Sequence, residues 1–190
     1  MDNWKLENRK YEDWKQLNSK YLREINNLIH DMKPEKQLQI ISYFNHSFNI
    51  SHTKELDNFC IGTFHLINVG AVVLNNPFIC IRIDSEDEFE FSGKYIYQDS
   101  LKKNRMTQAW ERFNDPKDKH EYWLRPVEKK LLAKGDMISF SNFQLKWKSL
   151  SSYTFRLNAF VYGDEIMEGQ NSINDIHIKG TLAKESNTNG

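Results

Sequence analysis

The sequence predicts a mainly β protein in which an antiparallel β-sandwich follows one long N-terminal α-helix. Residues 2–33 contain neither Gly nor Pro, and their large side chains recur at helical intervals. From residue 38 onwards, short runs rich in Ile, Phe, Tyr and Val are separated by turn residues. The last eight residues, AKESNTNG, contain no large apolar side chain that could anchor them. We therefore expect a helix over 1–34, a sandwich domain over 35–182 and a disordered tail over 183–190.

The N-terminal helix carries a heptad pattern. With Trp4 in the first seam position, the seam comprises Trp4, Glu7, Tyr11, Trp14, Asn18, Tyr21, Ile25, Leu28 and Met32, and seven of these nine residues are apolar or aromatic. A seam kept over four heptads is typical of a coiled coil, and an Asn in the seam fixes its register. Every seam residue except Glu7 is thus a predicted oligomerisation contact, and the chain is expected to pair with itself through residues 2–33. The alternative is an amphipathic helix that packs on its own domain.

Seven stretches have the period of two that β-strands show. They are residues 38–51, 58–68, 78–83, 89–97, 137–148, 152–163 and 175–182. Between the fourth and fifth stretch, the sequence MTQAWERF predicts a short helical turn, and NDPKDK predicts a β-turn. Seven or more short strands without an intervening helical pattern favour an antiparallel sandwich.

Asparagines lie between the apolar runs of the segment FHLINVGAVVLNNPFICIRI. Asn68 and Gly70 follow one apolar run, and Asn75, Asn76 and Pro77 precede the next. Asn and Gly accept left-handed backbone angles, and Pro is tolerated where a strand begins. These residues are expected to shape the connections between strands rather than to carry chemistry.

The segments IGTFHLINVG, LNNPFICIRI, LAKGDMISFSNFQL and YTFRLNAFVYGDEIMEGQNSINDIHIKG together resemble the Ig-like β-sandwich modules of bacterial surface and adhesion proteins, the CARDB type. The resemblance spans about residues 38–182. It implies an antiparallel Ig-like sandwich and a binding or structural module rather than a catalyst.

Composition argues against several classes of partner. Lys plus Arg equals Asp plus Glu, at 26 each, so the basic excess that drives nucleic-acid binding is missing. No apolar run is long enough for membrane insertion, and the first fifteen residues contain no apolar signal region. A cytoplasmic location is therefore expected. The only two cysteines, Cys60 and Cys80, are too few for a thiol-rich zinc site, and whether they pair stays open.

The sequence contains no common catalytic motif. It has no G-x-S-x-G, P-loop or G-x-G-x-x-G, and its six His residues are scattered. The acidic stretch 84–88 has oxygen ligands suited to calcium, but it lacks the glycine and spacing of an EF-hand loop. We therefore expect no metal, no cofactor and no catalytic residue, and the chain is predicted not to be an enzyme.

One aromatic segment is the predicted partner-binding surface. It comprises Trp110, Arg112, Phe113, Tyr122 and Trp123. Aromatic and Arg side chains are the usual anchors of interfaces, and sugars stack on the same residue types. The alternative is that Trp110 and Trp123 cover the open end of the sandwich core.

Two functions follow from these observations. The first is a non-catalytic structural or interaction protein, in which an oligomerising helix presents an Ig-like sandwich within a larger assembly. The second is a module that binds a carbohydrate or peptide, or another protein, through the aromatic segment 105–125.

Overall fold

The computed structural model describes residues 11–24, 37–51, 56–97 and 109–181. The chain divides into two compact units, Met1–Lys36 and Gln37–Gly190. The first unit contains an α-helix, α1, over residues 11–24. The predicted seam residues Trp4, Ile25, Leu28 and Met32, the helix end at Pro34 and the tail 183–190 lie outside the described residues.

The second unit is built from strands, and the described residues form thirteen of them. They are β1 Ile40–Asn49, β2 Asp57–Asn68, β3 Leu74–Asn75, β4 Phe78–Asp84, β5 Phe89–Ser92, β6 Tyr95–Tyr97, β7 Trp110–Arg112, β8 Glu121–Pro126, β9 Leu131–Leu132, β10 Met137–Lys148, β11 Tyr153–Gly163, β12 Ile166–Asn171 and β13 Ile176–Gly180. The prediction of a mainly β protein with a helix near its N-terminus is confirmed.

The strands form two large sheets and one small one. The four-stranded sheet has the order β1-β2-β10-β5, and the seven-stranded sheet has the order β12-β11-β4-β8-β7-β6, with β13 also paired to β11. Strands β3 and β9 form a separate two-stranded ribbon. Among the described strands, β6 and β7 run parallel, whereas the other pairs are antiparallel as predicted.

One hydrophobic core receives side chains from both large sheets. In β11, Phe155, Leu157, Ala159 and Val161 are buried, as the alternation of the sequence predicts. Aromatic rings from the two sheets contact each other in this core. The ring centroids of Trp147 in β10 and Phe155 in β11 lie 5.4 Å apart. The shared core holds the sheets face to face because neither sheet could bury its apolar side alone.

A β-bulge lets β10 keep its large residues in this core. Phe140 pairs with Phe64, and the next inward residue, Phe143, pairs with Gly62. Two residues of β10 therefore stand opposite one residue of β2, and Asn142 takes a left-handed φ of 56°. The extra residue turns Phe143 back towards the core, where Phe140 and Phe143 are both fully buried.

Asn68 links the connection after β2 to strand β9, in agreement with the structural role predicted for it. Its buried amide group donates to the carbonyls of Val72 and Leu132 at 2.7 and 2.8 Å and accepts from the amide of Gly70 at 2.9 Å. Gly70 is needed for space, because a Cβ there would lie 2.3 Å from the nitrogen of Gln39. The left-handed angle expected in this region occurs instead at Asn76, with φ 47°.

Three details of the strand prediction are corrected. The predicted helical turn is wrong for residues 110–112, which form β7 between β6 and β8. The predicted strand over 89–97 is two strands in different sheets, and they separate at Gly93, where a Cβ would lie 2.3 Å from the ring of Phe140. The connection after β11 contains a strand, β12, that lies outside the seven predicted stretches.

Candidate functional site

The predicted aromatic surface is divided between the core and the outer face of the seven-stranded sheet. Trp110, Arg112 and Tyr122 are only 3–4% exposed, so they cannot offer a surface to a partner. Phe113 is 36% exposed, and Trp123 is half-buried on the opposite face of β8 from Tyr122. The partner-binding role predicted for the group therefore stays a prediction for Phe113 and Trp123 alone.

Trp110 lies in the core, as the alternative interpretation expects. The centroids of its ring and the ring of Phe140 in the facing sheet lie 5.9 Å apart, and its indole N–H donates to the carbonyl of Ser139 at 3.0 Å. Buried Trp residues usually find such a partner for their one polar atom. Trp110 therefore connects the two sheets and is not placed to contact a ligand.

Arg112 organises the loop that carries Phe113. Its guanidinium donates to the side chain of Asn114 at 2.9 Å and to the carbonyls of Asp115, Asp118 and Glu121. The same group lies 4.2 Å from the ring centroid of Tyr122, a cation–π geometry. A buried Arg that satisfies several carbonyls fixes the loop between β7 and β8 and thereby the edge of the outer face.

Four rings form a cluster on that outer face, which we name the outer aromatic cluster: Phe78, Phe113, Trp123 and Tyr162. Phe78 stacks on Tyr162 with centroids 5.1 Å apart and planes 6° apart. Trp123 lies 5.2 Å from Tyr162, and Phe113 lies 5.7 Å from Phe78. Strands β8, β4 and β11 are neighbours, so the register of the sheet brings together residues that lie far apart in the sequence.

Two charged side chains lie beside the outer aromatic cluster. The indole N–H of Trp123 donates to the carboxylate of Glu121 at 2.9 Å, and the guanidinium of Arg125 lies 5.5 Å from the ring centroid of Phe113. The pKa of the Tyr162 hydroxyl is raised, chiefly by burial and further by Cys80 and Glu121. Sequence reasoning missed Phe78 and Tyr162, which only the strand register places beside Trp123.

The two cysteines are free and occupy different environments. Cys60 points into the shared core, whereas Cys80 lies on the outer face between its cross-strand partners Trp123 and Phe160. Burial raises the pKa of each thiol to about 12. Both groups therefore behave as apolar side chains.

A cleft of about 850 Å³ opens beside the acidic stretch 84–88. Asp84 pairs with Arg82 at 3.1 Å, and the carboxylate of Asp87 accepts the amide of Thr154 at 2.9 Å. These carboxylates thus stabilise the loop and its neighbouring strand. Across the described ranges, no group of three or more His, Cys, Asp or Glu side chains is arranged to hold a metal ion.

All fourteen described residues of helix α1 are exposed, and several of them have large side chains. The exposed fractions are 56% for Tyr11, 60% for Trp14, 48% for Leu17, 54% for Tyr21 and 55% for Leu22. Tyr11, Trp14 and Tyr21 are predicted seam residues, and the seam residue Asn18 lies between the last two in the sequence, also exposed. In the part of the chain that the structure describes, no helix is both long and apolar enough to span a membrane.

Comparison with known proteins gives little support for any assignment. No protein-family model matches the chain, and no curated protein matches it. Among solved structures, the chain is similar to AvmM, described as catalysing macrocyclization in alchivemycin A biosynthesis. The TM-score is 0.38 and the identity 8%, over 77% of this chain and 91% of that one.

The prediction that the chain is not an enzyme is contradicted by this comparison, because the matching structure is that of a catalyst, and we withdraw it. At this TM-score and identity the likeness assigns no reaction, substrate or residue role to the chain.

Proposed function

We propose that this chain is a self-associating interaction protein, in which the N-terminal helix joins copies and each copy presents its β domain within a larger assembly. The observation that carries the proposal is the exposed face of α1, where the side chains of Tyr11, Trp14 and Tyr21 are each more than half exposed. Aromatic side chains so exposed are typical of a surface that a partner covers.

The way in which helices are stabilised supports the same proposal. In proteins, most helical stability comes from packing of an amphipathic face rather than from helix propensity, so α1 needs contacts beyond its own backbone hydrogen bonds. Covering a large apolar side chain contributes roughly 1.5–3 kcal/mol. Asn18 suits a helical pair because an Asn in the seam selects one register.

For the second unit we propose an Ig-like sandwich, on the strength of two antiparallel sheets that share one core. A reducing compartment such as the cytoplasm suits a chain whose two cysteines are unpaired.

Charge on the seam tests the proposed association. We expect the full chain to be an oligomer by light scattering and the double variant Trp14→Glu/Tyr21→Glu to be a monomer, because the new charges would lie in the buried seam. Gln16→Glu/Ser19→Glu adds the same charge on the other side of the heptad and should leave the mass unchanged. A full chain that is monomeric at every concentration would contradict the proposal and favour a helix that packs on its own domain.

A second candidate function is the binding of a carbohydrate or peptide at the outer aromatic cluster. It is favoured by the position of Phe113 and Trp123 on an outer sheet face, with Glu121 and Arg125 beside them. Tryptophan fluorescence titrated with a panel of oligosaccharides and peptides would test it. We expect a saturable change that Phe113→Ala abolishes and Met167→Ala, at an exposed site on β12, preserves; no change with any probe would count against this candidate.

A further inference from the structure

Strand β1 lies at an edge of the four-stranded sheet, with β2 on one side only. Its even-numbered residues direct their backbone groups away from β2. This orientation is visible at Ile40, Ser42 and Phe44, whose backbone atoms bond to the segment 170–174 instead. The backbone alternates along an antiparallel strand, so His46 and Phe48 have the same outward orientation.

The first half of this edge is capped. Gln170 donates to the carbonyl of Ile40 at 2.8 Å, and the amide of Ile173 donates to the carbonyl of Ser42 at 2.8 Å. The side chain of Asn174 accepts from the amide of Phe44 at 2.7 Å and donates to its carbonyl at 3.0 Å. The carboxamide of Asn174 thus makes the two hydrogen bonds that a neighbouring strand would make, and the cap ends there.

The second half of the edge is open. Among the described residues, no backbone hydrogen bond satisfies the outward groups of His46 and Phe48, while the side chains of Phe48 and Ile50 are 42% and 44% exposed. Residues 37–51 contain no Asp, Glu, Lys or Arg. Proteins usually protect an edge strand with charge, Pro or a covering segment, and within the described part of the chain this stretch has none of the three.

We propose that a second copy of this chain pairs antiparallel with the open edge, with Ser47 of the two copies facing each other at a two-fold axis. Asn45 of one copy then stands opposite Asn49 of the other, and His46 stands opposite Phe48. The sequence Asn-His-Ser-Phe-Asn is self-complementary in this register, because amide meets amide and ring meets ring. The two outward residues of each copy exchange hydrogen bonds, and the cap at Phe44 prevents a longer overlap.

This contact is small, and it uses none of the residues that the helix would use. Five paired residues on each side bury less than the roughly 1,200 Å² of a standard stable interface, so the pairing alone forms a weak dimer. A helix that holds copies together raises their effective concentration and strengthens the pairing. Two different symmetric contacts in one chain also allow growth into an extended assembly.

Disulfide trapping in the full chain tests the pairing and its register. Facing residues in a non-hydrogen-bonded antiparallel pair have Cα atoms about 4.5 Å apart, which a disulfide can bridge. Under mild oxidation, Ser47→Cys should therefore form a covalent dimer on a non-reducing gel. Asn45→Cys and Asn49→Cys should each stay monomeric, while an equimolar mixture of the two should yield the mixed dimer. Cys60 and Cys80 are buried, so the wild-type chain is the matched background.

The same experiment in the Trp14→Glu/Tyr21→Glu chain separates this proposal from the helix proposal. A Ser47→Cys dimer that forms there supports the edge pairing even if the helix does not associate. If Ser47→Cys forms no more covalent dimer than Asn45→Cys alone, in either background and up to the highest soluble concentration, the edge pairing is wrong. Dimers formed equally by all three single variants would also contradict it, because they would reflect random collision.

Discussion

The ring of Phe143 lies over the backbone of Gly62, its direct partner in the antiparallel pair of β2 and β10. A Cβ at Gly62 would lie 2.3 Å from the Cζ atom of Phe143. The bulge at Asn142 turns Phe143 inward, and the missing side chain of Gly62 makes room for the ring. Each of these two features of the sequence therefore depends on the other.

Gly62→Ala should destabilise the β domain by about 2 kcal/mol, since overpacking of a tight core costs roughly 1–3 kcal/mol. Urea unfolding followed by tryptophan fluorescence measures the loss. Combining Gly62→Ala with Phe143→Leu should cost less than the sum of the two single changes, because the smaller side chain frees space. Additive losses would show that the ring does not limit this position.

Arg112→Met should destabilise the domain by about 3 kcal/mol, because it removes the hydrogen bonds from a charged donor to three part-buried carbonyls, and a hydrogen bond to a charged group contributes roughly 1.5–3 kcal/mol. Arg156→Met is the matched control. Arg156 pairs with Asp175 at 2.7 Å with both side chains exposed, and such a pair contributes only about 0–1 kcal/mol. Equal losses of unfolding free energy in the two variants would contradict the role assigned to Arg112.

Asp136 should contribute stability that depends on pH. Its hydrogen bond from Lys129, followed by that from the amide of Ala133, lowers the pKa of the carboxyl below 3.8. The contribution is therefore present above pH 3.8 and is lost as pH falls through the lower pKa of the folded state. We expect Asp136→Asn to lower the unfolding midpoint at neutral pH and to approach the wild type in acid. A difference that grows on acidification would contradict this sign.

Neither cysteine should react with a thiol reagent while the chain is folded, because each thiol is buried and has a pKa of about 12. In denaturant, both should react within the mixing time of the assay. Rapid labelling of one thiol in the native protein would show that the residues covering this thiol move away from it. Cys80 is the more informative of the two, since Trp123 and Phe160 are its cross-strand partners.

Long strands whose apolar residues alternate along most of their length could be predicted from the sequence. Strands β2, β10 and β11 each span eleven or twelve residues, and the predicted stretches coincide with them to within one residue. Alternation in such strands results from burial of one face. The pattern can therefore be recognised without knowing which strands are neighbours in the sheet.

Short strands could not be predicted in the same way. All three residues of β7 are buried, so it shows no alternation, and its identity as a strand depends on pairing with β6 and β8. Strand β12 is mostly exposed and contains Gly169, so it lacks an apolar face. Local sequence carries little information where distant partners decide the structure.

The grouping of residues on the candidate surface was difficult to predict for a related reason. Tyr122 and Trp123 are adjacent, yet one faces the core and the other the outer face, and sequence alone does not say which parity is buried. Phe78 and Tyr162 join Trp123 only through the register of three strands. The residue types of a recognition surface could be predicted, but their grouping could not.

Self-association is most directly tested by measuring the solution mass of the full chain and its ellipticity at 222 nm over the same concentration series. Because a helix owes most of its stability to the apolar face that it packs against a partner, dilution should lower the mass and the helical signal together. A constant monomer mass with an undiminished helical signal would contradict the proposal.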